Sequence, residues 1–111
     1  MINVIVKEPN KGARVEKIDG DLKSMQAVVG GLIQLVPGDV IGLPPGVDMY
    51  VNDEGKLLEL PPNLALRSQG KVFDIVVGTA FYAMHDDEGA TVDLPQELHP
   101  FVMEHCRSNA L

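Results

Sequence analysis

The chain reads as α+β, a mainly antiparallel sheet of five to seven strands with two helices and one short helical turn, and three observations carry that reading. β-Branched stretches with a period of two recur along its length. Helical spacing of apolar residues is confined to two segments, and the breakers between neighbouring strands are those of hairpins, which join antiparallel strands. Residues 1–111 are expected to form a single compact α+β domain, because a chain of this length hides roughly 65% of the surface its unfolded form exposes.

Residues 2–6 alternate Ile2, Val4 and Val6 with Asn3 and Ile5 and predict a mostly buried strand. Glu8-Pro9-Asn10-Lys11-Gly12 is a turn, and residues 13–18 return as a more polar strand of the same hairpin. Asp19-Gly20-Asp21 stops it, with either Asp able to accept from the free amides of a following helix. Leu22, Met25, Val28 and Val29 mark that helix's apolar face, and Gly30-Gly31 closes it. A short strand is expected at 32–36. Residues 37–46 hold three prolines and three glycines and are expected to be a loop.

Alternation resumes at 47–51, Asp53-Glu54-Gly55 turns the chain, and 56–60 is expected to pair back as a second hairpin. Pro61-Pro62 ends that run, and Asn63 is placed to cap a single helical turn at 64–67, released by Ser68-Gln69-Gly70. Residues 72–84, too β-branched and aromatic for a comfortable helix, are expected to form the central strand. Gly78 inside it implies a bulge, a bend or a close approach by another backbone or a ligand. His85 to Gly89 is an acidic turn, 90–93 a short return strand, and Pro95 opens a final helix whose buried face is Leu98, Phe101, Val102 and Cys106. Pro100 either kinks that helix or delays its start.

Composition excludes several classes of function. Sixteen acids against nine bases give a net charge of −7, which repels phosphate backbones, so direct nucleic-acid binding is not expected. Imitation of DNA fares little better, since a domain spanning roughly 35 Å would have to match on the order of twenty phosphates. A single cysteine, Cys106, permits no internal disulfide and needs no oxidising compartment, so a cytoplasmic location is expected. No basic-then-apolar leader precedes the first strand, and the longest apolar stretch, 75–84, is about half a bilayer-spanning helix, so no membrane partner is expected.

The landmarks, taken in order, resemble a family of small proteins of bacterial phages, plasmids and integrated elements, the domain of unknown function 3846. The resemblance covers nearly the whole chain. It rests on Val4-Ile5-Val6-Lys7-Glu8-Pro9, Ile18-Asp19-Gly20-Asp21-Leu22, Val28-Val29-Gly30-Gly31-Leu32-Ile33, Asn52-Asp53-Glu54-Gly55-Lys56-Leu57, Leu60-Pro61-Pro62-Asn63, Ala65-Leu66-Arg67, Asp74-Ile75-Val76-Val77-Gly78-Thr79 and Asp86-Asp87-Glu88-Gly89. The Pro44-Pro45 loop departs from it, a shorter connection being expected there. The resemblance implies a setting, a mobile element inside a bacterial cell, where small proteins bind and disable host defence components. It implies no activity.

No catalytic set is legible. His105 and Cys106 are neighbours on a helix and point about 100° apart, so one cannot easily activate the other. His99 and His105 are six residues apart, outside the i, i+4 geometry of helical zinc pairs, and the His85-Asp86-Asp87-Glu88 turn lacks the spacing of a calcium loop. No metal and no cofactor are therefore expected, and no phosphate-cradling Gly-Lys-Ser or Gly-Lys-Thr occurs. Asn63, Arg67 and Asp74 flank the entry to the central strand and could converge near Glu54 and Gly78. They admit two readings: Asn63 caps a turn that an Arg67–Asp74 pair pins, or the group lines a pocket for a small anionic ligand such as a nucleotide. The expectation is a non-enzymatic protein that works by binding a host protein through an acidic face or an uncovered sheet edge, with self-association. A domain that sequesters a small anionic molecule is the alternative.

Overall fold

The computed structural model describes residues 1–111. The fold is α+β, three layers deep. Its middle layer is an antiparallel sheet built from β1 (Ile2–Lys7), β2 (Arg14–Ile18), β3 (Ile33–Val36), β4 (Val47–Asn52), β7 (Ala80–His85) and β8 (Thr91–Val92), in the order β2-β1-β7-β4-β3, with β8 also on β7. The hairpin of β5 (Pro62–Ser68) and β6 (Lys71–Val77) forms a separate two-stranded sheet. The helices are α1 (Leu22–Val29) and α2 (His99–Asn109), with 3-10 turns at Gly38–Ile41 and Gln96–Leu98.

Strand alternation explains the layering. Val4 and Val6 of β1, Tyr50 of β4, and Phe81 and Ala83 of β7 point to one face, where Met25 and Val29 of α1 cover them. Tyr50 and Phe81 stack there with ring centroids 4.8 Å apart. The intervening residues, among them Ile5, Met49 and Tyr82, point the other way and pack against Leu64, Leu66 and Val76 of the hairpin and Val102 and Cys106 of α2. The caps of α1 are the expected ones: the Asp21 carboxylate accepts from Ser24 N–H at 2.9 Å, and the Gly30 N–H reaches Gln26 O at 2.9 Å.

Four local expectations are corrected. Residues 56–60 do not pair back onto β4; they coil into a turn closed by Leu58 N–H to Glu54 O and Leu60 N–H to Gly55 O, and the neighbours of β4 are β3 and β7. Residues 64–67 are strand, not a helical turn capped by Asn63. Gln69 and Gly70 both adopt positive φ, 52° and 78°, the conformation of a two-residue hairpin turn matched to strand twist, so this segment pairs with β6 instead. The single strand expected over 72–84 is two strands belonging to different sheets, and Gly78 makes the corner. Its φ of 77° is a conformation that side chains strain to adopt, and a Cβ there would lie 2.6 Å from Leu60 Cδ1, which would have to shift. Lastly, α2 begins at His99 with Pro100 in its first turn, which settles the delayed start, and Phe101 falls on the solvent side, 63% exposed.

Candidate functional site

The residues anticipated as a site are divided between two places. Asn63 is wholly buried. It is the extra residue of a bulge, because Pro62 faces Val77 while Leu64 faces Val76, and the bulge turns its side chain inward. There Nδ2 donates to Lys7 O at 2.7 Å and Gly78 O at 2.8 Å, while Oδ1 accepts from Lys7 Nζ at 3.0 Å. Asn63 and Gly78 thus meet, but as a knot tying β1, β5 and the β6–β7 corner together, and the Gly78 N–H is itself taken by Pro61 O at 2.7 Å.

Glu54 and Asp74 meet elsewhere, around a cavity of about 240 Å³ between the 53–57 turn, the ends of β3 and β4, and β6. The expected Arg67–Asp74 pair does not form, because Asp74 pairs with Lys56, whose ammonium holds the carboxyl below its ordinary range. Arg67 is exposed near the hairpin tip and faces Val72, with no acidic partner. Arg67, Asn63 and Gly78 therefore do not share a pocket.

Lys7 escaped the sequence reading, and burial makes it conspicuous. It ends β1 on the same face as Ile5 and is only 4% exposed. Its ammonium donates to Glu8 O at 2.8 Å and to Asn63 Oδ1, both neutral, while the Glu8 carboxylate is held by Arg14 at 2.6 Å. Burial holds the Lys7 amine below its ordinary value. With Cys106 it lines a cavity of about 270 Å³ under α2. A lysine two residues after Ile5, in step with the inward positions of a strand rich in Ile and Val, is the signal that could have found it.

Asp48 was missed for a similar reason, a carboxylate in the middle of Val47-Asp48-Met49-Tyr50-Val51. It accepts from Gly38 N–H at 2.9 Å and pairs with His85 Nδ1 at 2.6 Å, leaving His85 Nε2 as that ring's remaining polar atom. The pair borders a cleft of about 560 Å³ with Leu35, Tyr50 and the proline loop. Gly38 permits this arrangement: a Cβ on it would sit 1.7 Å from Val47 O. A histidine oriented by a carboxylate can serve as a base, but no Ser, Thr, Cys or Lys lines this cleft to act as a nucleophile.

The C-terminal histidines do other things. His99 Nε2 meets Leu94 O at 3.0 Å, and His105 packs edge-on to Tyr82, ring centroids 5.6 Å apart, with its Nε2 buried and unpartnered. No hydrogen bond joins His105 to Cys106. No three His, Cys, Asp or Glu side chains are placed to hold a metal ion, and no helix is long and apolar enough to cross a membrane.

No curated protein and no solved structure matches this chain. A family model does, the one described as Domain of unknown function (DUF3846), and it spans residues 2–107 in line with the ordered landmarks of the sequence. The chain belongs to the DUF3846 family.

Proposed function

We propose that the domain works by binding another protein, without catalysis, and that the contact surface is the outer half of β6 together with the 56–60 turn. One observation carries this. Leu57, Leu58, Val72 and Phe73 are 78%, 55%, 51% and 53% exposed on two segments that the Lys56–Asp74 pair ties side by side. β6 has only β5 as a partner, so the edge of Lys71–Asp74 presents unpaired backbone groups beside those apolar side chains. Phe73 is the extra residue of a second bulge, with Leu66 facing Asp74 and Arg67 facing Val72, which throws its ring outward. Strand edges flanked by exposed apolar groups are the surfaces on which a second chain adds a strand.

Asp53, Glu54, Glu59 and Asp74, in or next to these two segments, outnumber Lys56 and Lys71 there and favour a partner with a basic rim. In the mobile-element setting that partner is a host protein, and occupying one of its surfaces is how a chain without a catalytic set would blunt host defence. Self-association through the same edge is the competing use. Native mass spectrometry of tagged protein purified gently from a bacterial host tests the reading. A host protein should be retained by the parent chain and lost from Leu57→Lys/Phe73→Lys; equal retention by that variant would refute the surface, and a homodimer that the variant dissolves would assign the edge to self-association.

A further inference from the structure

We propose that the cavity under Lys7 is a binding site for a small aliphatic monocarboxylate. The cavity holds about 270 Å³, below the roughly 300–1,000 Å³ of sites for drug-sized ligands, which limits the occupant to a small molecule. Its walls are mainly apolar, Ala13, Met103 and Ala110 among them, and no acidic side chain lines it. The charged groups at it are all cations. Lys11 and Arg107 are exposed and already paired with Glu8 and Glu104, whereas Lys7 is buried and meets no carboxylate.

A buried ammonium is costly unless an anion compensates it, and an ammonium carries three donors. The two protein acceptors of Lys7 are a backbone carbonyl and an amide oxygen, so both its third donor and its full charge remain uncompensated by the fold. One buried positive charge balances one negative charge. A carboxylate satisfies that with an aliphatic body left to lie along Ala13 and Met103, whereas a phosphate dianion would bring a second charge into apolar walls. Behind the cavity wall the buried Tyr82 hydroxyl lies beside the Cys106 thiol, so the interior beyond the Lys7 ammonium holds no anion either.

This inference stands apart from the protein-binding surface, which involves other elements. Amide NMR titration of the full chain with hexanoate tests it, with inorganic phosphate as the contrasting anion. Hexanoate should shift the amides of Gly12, Ala13, Cys106 and Ala110 as one saturable event, and phosphate should not. Lys7→Met, nearly equal in length and uncharged, should lower the affinity at least tenfold. Shifts scattered over the surface, no saturation by about 10 mM, stronger binding of phosphate, or equal binding by a folded Lys7→Met would each overturn it. The titration of the unaltered chain keeps the test decisive even if that variant fails to fold.

Discussion

Asn63→Ala probes the knot at the centre of the fold more directly than any other change. The side chain makes three hydrogen bonds in the interior, two donated to carbonyls and one accepted from an ammonium. Truncation leaves the carbonyls of Lys7 and Gly78 each short of a donor, and leaves the ammonium with only Glu8 O. An unmet buried polar group costs about 1–3 kcal/mol, with charged groups at the upper end. Because the three share one site their losses overlap, and the expected total is about 3–5 kcal/mol. A domain of this size is stable by roughly 5–15 kcal/mol, so the variant should be marginal.

Urea unfolding followed by circular dichroism reads this as a midpoint lowered by about 2 M, taking a slope of about 2 kcal/mol per molar. The charged part of the loss can be isolated with Lys7→Met. In that background the ammonium is gone while the carbonyls remain, so Asn63→Ala should cost about 1.5–3 kcal/mol less than in the parent. A cost within about 0.5 kcal/mol of zero, the range of ordinary surface changes, would refute the assignment of Asn63 as a structural junction. Equal costs in the two backgrounds would refute the charged hydrogen bond.

Other expectations follow from the same structure. Gly38→Ala should cost at least about 3 kcal/mol in the same urea assay, because the new methyl would meet a backbone carbonyl that has no rotamer to escape into. His105 is held below its ordinary value of 6.5 by burial, so the unfolded chain takes up that proton first as the pH falls. Its contribution is therefore intact above 6.5 and declines below it, and thermal midpoints of His105→Phe should fall less than those of the parent between neutral pH and pH 5. At the alkaline end the Cys106 thiol is raised by burial and deprotonates first in the unfolded chain. Cys106→Ala should thus flatten the loss of stability that sets in near pH 9 and above, as read by the same midpoints.

Part of what depends on a few consecutive residues was legible in the amino-acid order alone. The Asp21 and Gly30 caps of α1 and the β1–β2 hairpin follow from backbone preferences that act over one or two turns, whereas Gly78 and Pro100 marked an interruption without deciding between bulge, bend and close approach or between kink and delayed start. The α+β class followed in the same way, from periodicity. Beyond the β1–β2 hairpin, pairing was not legible, because which distant strands become neighbours is decided by burial summed over the whole chain. Residues 64–67 could cap and coil locally, yet Leu64 and Leu66 bury completely only as a strand against β6, and that outweighs a single helical turn closed by few hydrogen bonds. The polar interior was hidden for the same reason. Asn63 meets Lys7 across 56 residues and Asp48 meets His85 across 37, and only the folded chain brings such groups within hydrogen-bonding distance. Sequence placed Asp48 in a strand and left Lys7 just past the end of one; the tertiary structure gave each its surroundings, Lys7 a cavity lined by no acidic side chain and Asp48 a histidine.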